Sequence, residues 1–538
     1  MKTSYNIKAD CRGMYEEDIF NTILEQRGIE DVERFLNPTE EDLLPLDSLP
    51  HVKNAYKIAK NHIENGNKIT ILFDTDTDGV TSGTIMTKYL RSLGVKCETF
   101  INEGKAHGLL GQDLSRFDGT NLLIIVDSLD ANADNYAKLK EQGMDIIVLD
   151  HHTVDPCVAY DDYITLVTSQ KNYDNPALSG AGVVWKFCKY YDEQELTDYA
   201  DDLVDLAAVG ILADVSDVSE ASMENRYIIK QGLDNQKNLA IKKIIGSYEF
   251  NSKSVLFSIA PLINASCRIG RNETAMQMFL SDDNKEILRC KKSLEECREI
   301  QNEEVDRLMP SIEKDFDLQK DNNVLYTFID SPYGISGLIG NKCLEVYNKP
   351  MFILKDSGDK YTGSMRSIGY GNFMALCNET GLAELHGHEE ASGIEIKKDD
   401  FDEFIKQINS KLVKINQTTD KSVDVDAWIE LSDLTRTLVD KIKLLNRVSG
   451  QGFKPTVFKV TGVKNYTISN FKNGKHLVVN PDGYDYIQLI EWNTGCDYDE
   501  LEDSAMMSEP MEVYGELDSG WFIKTFMLKV IMQSYEIG

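Results

Sequence analysis

The chain has 538 residues, of which 42% are hydrophobic and 27% are charged, and its formal net charge is −32 at pH 7. That length exceeds a single hydrophobic core, which serves roughly 100 to 200 residues, and the ordinary composition excludes a low-complexity chain. The N-terminal sequence has no apolar signal segment, and no run of about 18 apolar residues could span a bilayer. We therefore expect a folded cytoplasmic protein of several domains with no membrane association.

The ten cysteines occur singly, without a Cys-x-x-Cys pair. This spacing argues against a zinc or iron–sulfur site and favours free thiols in a reducing compartment. The acidity counts against a nucleic-acid partner, because backbone phosphates are normally bound by a basic surface. Bound metal ions would neutralise some carboxylates, and local basic clusters can line a groove, so the acidity does not exclude such a partner.

The first part of the chain predicts a parallel α/β sheet. A helix is predicted over 52–65, a buried strand over 68–73 and a second helix over 82–93. Apolar strands recur at 122–126 and 146–149, so strands alternate with helices. Ligands of such sheets bind at the carboxyl ends of the strands, and three of these strands end in acidic or histidine residues. We expect these side chains to converge.

The second part predicts three further pieces. A charged segment of helical period over 285–314 predicts a long exposed connecting helix. Strands near 324–329 and 351–354 predict a second α/β unit. Beyond about residue 420 helices fade, and short alternating strands with turn signals predict a small β-barrel. These strands are predicted at 457–460, 475–479, 486–491 and 511–514.

Acidic and histidine residues follow the predicted strands in an order typical of a metal centre. The set is Asp74, Asp76, Asp127, Asp150, His151 and Asp214. Carboxylates with an imidazole suit Mn²⁺ or Mg²⁺ rather than a thiolate-binding metal. In a two-metal site the ions lie about 3.5 to 4 Å apart and need a bridging carboxylate, for which Asp127 is our candidate. Alone, the first motif could be a turn or a calcium loop and Asp-His-His a strand cap, but their ordered combination favours a metal site.

This ordered set resembles the DHH phosphoesterase superfamily, and more narrowly its RecJ-like exonucleases. The resemblance continues at residues 35–38, 74–82, 175–182, 224–226, 260–268, 363–367, 387–393, 450–456 and 474–477. It implies an α/β fold with a parallel-sheet DHH domain and a second α/β DHH-associated domain joined by a long helix, followed by a C-terminal OB-like β-barrel. The implied segments are an N-terminal extension (1–50), the DHH catalytic domain (51–283), the connecting helix (284–315), the DHH-associated substrate-binding domain (316–415) and the OB-like nucleic-acid-binding domain (420–538).

The resemblance also implies roles for individual residues. Two Mn²⁺ or Mg²⁺ ions would be held by Asp74, Asp76, Asp127, His151 and Asp214. Catalysis would further involve Asp150, which orients the histidines, Asp78, which steadies a ligand or the attacking water, and His152, which faces the phosphate or assists proton transfer. Substrate contacts are expected from Lys105, Asn264, Arg268, Arg271, Ser364, Arg366, Ser367 and His388.

The implied activity is 5′ to 3′ exonuclease action on single-stranded DNA, in recombination, repair or replication. A single-stranded-DNA-binding protein or a helicase is the expected class of protein partner. Two alternatives stay open: a DHH phosphodiesterase acting on short oligoribonucleotides or cyclic dinucleotides, and a non-catalytic relative. The predicted barrel favours a polymeric strand, and the complete set of carboxylates argues against a non-catalytic role.

The chain departs from the family pattern at four places. The usual Asp-Tyr-Asp reads Asp74-Thr75-Asp76, which keeps both carboxylates. Many DHH relatives have a histidine four residues before the first Asp, where this chain has Thr70, so one ion would be short of a ligand and rely on water. The usual Gly-Gly-His reads His386-Gly-His388, and the stretch before Gly108 lacks the usual Pro-Asn-Arg. These changes affect the recognition of the terminal nucleotide more than the chemistry. In the predicted barrel, Trp428, Trp492 and Trp521 either stack on bases or form its core.

Overall fold

The computed structural model describes residues 4–102, 107–130, 132–413, 415, 422–471, 476–492, 498–507, 509–522 and 525–537. The chain forms two compact units, one of Met1–Ala260 with Lys421–Gly538 and the other of Pro261–Asp420. The two ends of the chain therefore belong to one unit. The five segment boundaries expected from the sequence remain a prediction. No helix among the described residues combines the length and the apolar character needed to cross a membrane.

The N-terminal part of the first unit alternates helices and strands. Its elements are β1 (Ser4–Ile7), α1 (Glu16–Gln26), α2 (Val32–Leu36), α3 (Val52–Glu64), β2 (Ile69–Phe73), α4 (Thr77–Ser92), β3 (Cys97–Ile101), β4 (Leu122–Val126), α5 (Asp134–Glu141), β5 (Asp145–Asp150), β6 (Thr165–Thr168), α6 (Gly180–Glu195), α7 (Val204–Ala213), α8 (Met223–Asp234), α9 (Leu239–Ile245) and α10 (Ser252–Ser254). Strands β2 to β6 form one parallel sheet in the order β3-β2-β4-β5-β6. The sequence prediction of a parallel α/β sheet is confirmed.

The central strands of this sheet are apolar along their whole length. Every residue of β2 and of β4 is buried, as is typical of a parallel sheet covered on both faces. Helix α4 packs against α6 and α7. Each predicted strand of this region is present, and β4 has the predicted bounds.

The second unit holds a mixed five-stranded sheet. Its elements are α11 (Ala260–Ile269), α12 (Asn272–Leu280), α13 (Asn284–Leu318), β7 (Leu325–Phe328), α14 (Ser336–Tyr347), β8 (Met351–Ser357), β9 (Lys360–Arg366), α15 (Phe373–Asn378), β10 (Ala383–His388), β11 (Ala391–Lys397) and α16 (Phe401–Leu412). The strand order is β10-β11-β9-β8-β7, with only the β7–β8 pair parallel among the described pairings. The expected second α/β unit is confirmed.

The long helix α13 is present but is not exposed along its length as the sequence suggested. A stripe of its side chains, including Leu294, Val305 and Ile312, is buried. The C-terminal half of this stripe joins a cluster with Leu325 of β7 and Ile339 of α14. The charged residues that dominate its sequence occupy the opposite faces, so the composition concealed an amphipathic pattern.

The C-terminal part of the first unit contains a seven-stranded sheet. Its elements are β12 (Ser422–Val425), β13 (Ala427–Glu430), α17 (Arg436–Asn446), β14 (Phe458–Val463), β15 (Tyr466–Phe471), β16 (His476–Pro481), β17 (Ile487–Trp492), α18 (Tyr498–Met507), β18 (Met511–Phe522) and β19 (Thr525–Ile537). The order is β13-β14-β18-β19-β17-β16-β15 and most neighbours are antiparallel. Closure of this sheet into a barrel remains a prediction. Helices do not fade here: α17 has a helical stripe that buries Leu438, Val439 and Ile442.

The N-terminal segment is attached to this C-terminal part. Strand β1 pairs in parallel with β12. Tyr5 stacks on Tyr514 with 3.7 Å between the ring centroids. Arg27 pairs with Asp426, with Nε 2.7 Å from Oδ1. These contacts explain why the two ends of the chain fold as one unit.

Candidate metal centre

Three neighbouring strands bring carboxylates to one edge of the parallel sheet. Asp74 follows β2, Asp127 follows β4, and Asp150 is the last residue of β5. Because β2, β4 and β5 are adjacent and parallel, their carboxyl ends meet at the same edge, where ligands of α/β sheets bind. These three aspartates have 7%, 2% and 0% of their surfaces exposed, respectively. The sheet thus places buried carboxylates side by side.

The first motif forms a tight turn from β2 into α4. Asp76 is the N-cap of α4 and accepts a hydrogen bond from the Gly79 N–H at 3.0 Å. A Cβ on residue 79 would lie 2.5 Å from the carbonyl oxygen of Asp74, so this close turn requires glycine. Burial, together with the charge of Asp74, raises the pKa of Asp76 to about 6.

Asp127 lies at the middle of the edge. Its backbone has a φ of 55°, a left-handed conformation that aspartate tolerates better than most residues. Its Oδ1 lies 3.2 Å from Nε2 of His151, and a Cβ on Gly180 would come within 2.5 Å of the same oxygen. Burial and the charges of Asp78 and Asp76 raise the pKa of Asp127. This carboxylate is therefore tightly enclosed among other acids.

The Asp-His-His motif is held by a local hydrogen-bond network. Oδ1 of Asp150 accepts a hydrogen bond from the His152 N–H at 2.5 Å and lies 2.8 Å from Nδ1 of the same residue. Burial alone would raise the pKa of Asp150, but the charge and hydrogen bonds of His152 lower it. Burial opposes protonation of His152, yet Asp150 raises its pKa to about 10. Asp150 thus contacts both the backbone N–H and the ring of His152.

His151 lies between two groups of carboxylates. Besides its contact with Asp127, its Nδ1 lies 3.7 Å from Oδ2 of Asp214. The ligand atoms of Asp127, His151 and His152 lie within 4.8 Å of one another, as do those of Asp78, His151 and Asp214. Burial lowers the pKa of His151, which favours the neutral imidazole that metal binding requires.

Asp78 is bound by the first residues of α6. Its carboxylate accepts hydrogen bonds from the Ser179 hydroxyl at 3.1 Å, the Gly180 N–H at 2.8 Å and the Ala181 N–H at 3.0 Å. The start of a helix favours an anion through its free N–H groups and its dipole. Burial and the charge of Asp214 nevertheless raise the pKa of Asp78. The segment 175–182, noted in the sequence only for its resemblance to the family, thus holds the carboxylate of Asp78 in the acidic centre.

The donor set fits divalent cations. Among the described residues, Oδ1 of Asp127 and Oδ2 of Asp150 are buried and have no hydrogen-bond partner. Buried carboxylates that raise one another's pKa are a favourable place for a cation. Oxygen donors with imidazole suit Mn²⁺ or Mg²⁺. All five expected metal ligands and all three expected catalytic residues lie at this edge, and their individual roles remain predictions.

One residue of the centre was missed by the sequence analysis. His107 follows β3, and its Nδ1 lies 3.0 Å from Oδ2 of Asp74. Its ring centroid is 4.7 Å from that of His152. The only sequence signal was a histidine close to the carboxyl end of a strand beside β2. Lys105, expected to contact substrate, lies outside the described residues.

A second group of expected site residues lies within the unit Pro261–Asp420. Arg366 ends β9 and donates hydrogen bonds to the Met365 carbonyl at 2.7 Å and to Oδ1 of Asn341 at 2.5 Å. Arg268 of α11 donates to Oε1 of Gln301 at 3.0 Å. Burial and the charge of Arg268 lower the pKa of Arg366. Two half-buried guanidinium groups near each other form a site suited to an anion.

Small residues of α14 make room for this cluster. A Cβ on Gly337 would lie 2.6 Å from Nη2 of Arg366, and one on Gly340 would lie 2.9 Å from its Cγ. Oγ of Ser364 lies 3.5 Å from the same position on Gly337 and 2.8 Å from Oγ of Ser336. These glycines were not singled out in the sequence, although two glycines three residues apart in a helix are a recognisable signal.

The other expected substrate contacts are less closely gathered. His388 is exposed and stands in register with Ala391, which pairs with Arg366 on the next strand, so their side chains share one face of the sheet. Oγ of Ser367 is buried without a hydrogen-bond partner among the described residues. Asn264 is half-buried in α11, and Arg271 is exposed just before α12.

Comparison with known proteins shows which proteins this chain resembles. The sequence profile of the DHH family N-terminal domain matches residues 68–211. A prophage-derived protein of Bacillus subtilis, named as the single-strand DNA-specific exonuclease YorK, is 29% identical over 513 residues, which is 86% of this chain and 88% of that protein. The single-stranded-DNA-specific exonuclease RecJ of the same organism is 24% identical over 542 residues, which is 95% of this chain and 67% of that protein.

The crystal structure of RecJ from Thermus thermophilus in complex with Mn²⁺ matches with a TM-score of 0.78 at 21% identity, covering 99% of this chain and 79% of that one. The chain contains a DHH-family N-terminal domain and is RecJ-like in sequence and fold over most of its length. The resemblance stated from the sequence is thereby confirmed. The match to the family profile ends at residue 211. The structural match covers 99% of the chain, so it supports the fold of the C-terminal part as well.

Proposed function

We propose that this RecJ-like protein is a two-metal-dependent exonuclease that degrades single-stranded DNA in the 5′ to 3′ direction. The observation that carries the proposal is the edge of the parallel sheet, where buried carboxylates and histidines converge in the order of a DHH centre. When bound, two Mn²⁺ or Mg²⁺ ions would stabilise the charge on phosphate oxygens and make water a better nucleophile. The protein relatives named for this activity support the assignment.

In this proposal the residues of the centre have distinct tasks. Metal ligands are Asp74, Asp76, Asp127, His151 and Asp214. Asp150 orients the His152 ring through the contacts described above, and His152 faces the phosphate or assists proton transfer. Asp78, held by the start of α6, steadies the carboxylates around it.

The arginine cluster of the second unit is proposed as the phosphate grip. A guanidinium cannot serve as a metal ligand but pairs bidentately with a phosphate. Arg366 and Arg268 form no ion pair with a carboxylate of the described residues, so both are available to an anion. Ser364 adds a hydroxyl beside them, and His388 lies on the same face of the sheet.

The C-terminal sheet favours a polymeric strand over a dinucleotide. Trp492 packs edge-on against His476, with 5.0 Å between the ring centroids, and has 46% of its surface exposed; we propose that its exposed part stacks on a base. Trp428 differs, because its ring packs under the guanidinium of Arg12 at 3.6 Å and its indole N–H donates to Oγ1 of Thr461. We therefore assign Trp428 to packing and retain Trp492 as a base contact. The side chain of Trp521 lies outside the described residues.

The test is hydrolysis of matched substrates labelled at either end: single-stranded DNA, RNA of the same sequence, and a dinucleotide, in Mn²⁺, Mg²⁺ or EDTA. We expect label at the 5′ end of DNA to be released first, label at the 3′ end last, and EDTA to stop the reaction. Hydrolysis confined to RNA or to the dinucleotide would instead support the phosphodiesterase alternative. Absence of hydrolysis with every substrate, by folded protein that binds metal, would contradict an enzymatic function.

We further propose a cytoplasmic location, no membrane association, and cooperation with a single-stranded-DNA-binding protein or a helicase. The support is indirect: an exonuclease for single strands acts where strands are separated or kept open. Adding a purified single-stranded-DNA-binding protein or a helicase with duplex DNA to the assay tests the partner class. An increased rate on duplex DNA is expected only with the helicase.

A further inference from the structure

His107 contacts residues of the candidate metal centre directly. Its Nδ1 lies 3.0 Å from Oδ2 of Asp74, and its ring packs against that of His152. The side chain is 45% exposed while the partner carboxylate is 10% exposed. The imidazole therefore covers the outer side of a buried carboxylate that is expected to bind metal.

The loop that carries His107 is built to hold this position. The Gly108 N–H donates to Oγ of Ser128 at 2.7 Å, and the N–H groups of Leu109 and Leu110 donate to the carboxylate of Asp130 at 3.0 and 2.9 Å. Gly108 has a φ of 59°, and a Cβ there would lie 2.8 Å from the Asp130 backbone nitrogen. Two residues that follow β4 thus fasten the chain immediately after His107.

The spacing of the two side chains fits shared coordination. An octahedral Mg²⁺ has ligand distances of about 2.0 to 2.1 Å, so neighbouring ligand atoms lie about 3 Å apart. The Nδ1 to Oδ2 distance of 3.0 Å between His107 and Asp74 has this value. The pair His151 and Asp127, expected to share an ion, has a comparable 3.2 Å.

The strand that precedes Asp74 cannot supply a histidine of its own. Thr70 is fully buried, and its hydroxyl lies 2.7 Å from that of Thr120. Thr70 has no imidazole to offer to a metal ion. We propose that His107 is a metal ligand, which completes the coordination of the ion held by Asp74 from the part of the chain between β3 and β4.

This inference rests on the proposed function in taking Mn²⁺ or Mg²⁺ as the ions, two as their number, and Asp74 as a ligand of one of them. The experiment is calorimetric titration of the full-length protein with Mn²⁺, without DNA, for wild type, His107→Ala and His107→Gln. The matched control is His51→Asn, a half-exposed histidine near Asp161 whose left-handed backbone (φ 61°) asparagine tolerates. Electron spin-echo spectra of the Mn²⁺-loaded proteins count the nitrogen nuclei coordinated to the ions.

We expect His107→Ala to weaken one of two Mn²⁺ sites by at least tenfold and to remove one nitrogen coupling, while His51→Asn changes neither. His107→Gln is expected to lose the nitrogen coupling as well. If affinity fell but the nitrogen signal persisted, His107 would only hydrogen-bond to Asp74, and the proposal would be wrong. Unchanged affinity would overturn it too. Because no substrate is present, a protein that binds two ions through His107 but cleaves no DNA would contradict the proposed function and leave this inference intact.

Discussion

At the residue scale, Asp127 combines a left-handed backbone with a buried carboxylate oxygen that has no hydrogen-bond partner among the described residues. Asp127→Asn keeps the side-chain size and tolerates the same backbone, but it removes the charge. We expect hydrolysis to fall by about 10³-fold or more, because bound metal supplies several kcal/mol of transition-state stabilisation. Calorimetry should show weakened binding of Mn²⁺ at the same time.

The same variant should not destabilise the metal-free protein. Removal of a charge from a group of buried carboxylates relieves their repulsion, so the free energy of unfolding in EDTA should stay equal or rise. Urea denaturation measures it. Asp118→Asn, at an exposed position, is the control and should alter neither activity nor stability. Substantial activity of Asp127→Asn in Mn²⁺ would contradict the two-metal assignment.

The buried side chain of Asp205 should make the free energy of unfolding depend on pH, independently of the metal centre. It is fully buried at the start of α7, and its Oδ2 accepts hydrogen bonds from the N–H groups of Lys237 and Asn238 at 2.7 and 2.6 Å. Burial raises its pKa from 3.8 to about 6. The folded protein therefore binds this proton more tightly than the unfolded chain, so the contribution to stability is full below about pH 4 and is lost as the pH rises through 6.

Asp205→Asn removes the titrating group and keeps a carbonyl acceptor. The difference in unfolding free energy, wild type minus variant, should fall by on the order of 2 to 3 kcal/mol between pH 4 and pH 7. Urea titrations at a series of pH values measure this difference. A difference that stayed constant with pH would show that Asp205 ionises at its ordinary pKa in the folded protein, and a difference that rose would show that its pKa is lowered; either result would contradict the prediction.

At the element scale, the start of α6 shapes the centre. Its first N–H groups bind Asp78, and Gly180 leaves space for Asp127. Gly180→Ala would improve the intrinsic helix propensity of α6, but the added Cβ would lie 2.5 Å from Oδ1 of Asp127. We expect Mn²⁺ affinity and activity to fall by at least tenfold, measured by calorimetry and by nucleotide release.

The control for that prediction is Gly520→Ala in β18. Its added Cβ would meet only the end of the Lys529 side chain, at 3.3 Å, and Mn²⁺ affinity should not change. If Gly180→Ala bound Mn²⁺ like wild type, Asp127 could move aside without loss. The close packing of α6 against the centre would then have no functional importance.

The strands of the parallel sheet in the first unit could be predicted because their sequence pattern is local. Short apolar strands followed by acidic residues gave β2, β4 and β5 and the convergence of Asp74, Asp127 and Asp150. The contribution of Gly180 could not be derived, since it depends on an approach between residues far apart in sequence. His107 was missed for the same reason: a distance to Asp74 is set by the β2–β3 pairing and by the loop, not by a motif.

The predictions for α13 and α17 were wrong because the residue composition concealed the helical spacing of their buried side chains. Charged residues made α13 look exposed, although every third or fourth side chain is buried. Turn signals and short strands beyond residue 420 obscured α17, whose buried stripe forms only when the helix packs against β18. Segment order along the sequence also gave no indication that the two ends of the chain belong to one unit, because strand pairing between β1 and β12 is nonlocal.

At the scale of the whole molecule, a net charge of −32 has to be reconciled with a phosphate-bearing substrate. The acidic sheet edge accounts for part of this charge and would be neutralised by two divalent ions. Arg268 and Arg366 show that cationic groups are concentrated locally. A protein of this kind should bind single strands weakly without divalent ions and more tightly with them, since the repulsion between its carboxylates and phosphates is then reduced.

The segment 224–226, which resembles the family in sequence, has a structural role in the fold of the whole unit. Glu224 accepts hydrogen bonds from the Tyr173 hydroxyl at 2.7 Å and from Nζ of Lys186. Arg226 has 2% of its surface exposed and donates to the carbonyl oxygens of Val218 at 2.8 Å and Val448 at 3.1 Å. These buried polar contacts hold distant stretches of the chain together.

Arg226 joins three stretches of one unit. Besides Val218 and Val448, its Nε donates to the Phe35 carbonyl at 3.1 Å, and its guanidinium lies 3.5 Å from the centroid of the Phe35 ring. Arg226→Met keeps much of the volume but leaves three buried carbonyl oxygens without their donor. Each unmet hydrogen bond costs about 1 kcal/mol or more, so we expect the free energy of unfolding to fall by roughly 2 to 4 kcal/mol.

Urea denaturation measures the loss, and limited proteolysis should show earlier cleavage of both chain ends in Arg226→Met, because the N-terminal and C-terminal stretches lose the same donor. Arg226→Lys should recover only part of the stability, since an ammonium group cannot reach three acceptors with the planar geometry of a guanidinium. The control is Arg289→Met on α13, whose side chain is 73% exposed. Equal stability of Arg226→Met and wild type would mean that β1, β12 and the packing around them suffice to unite the two ends of the chain.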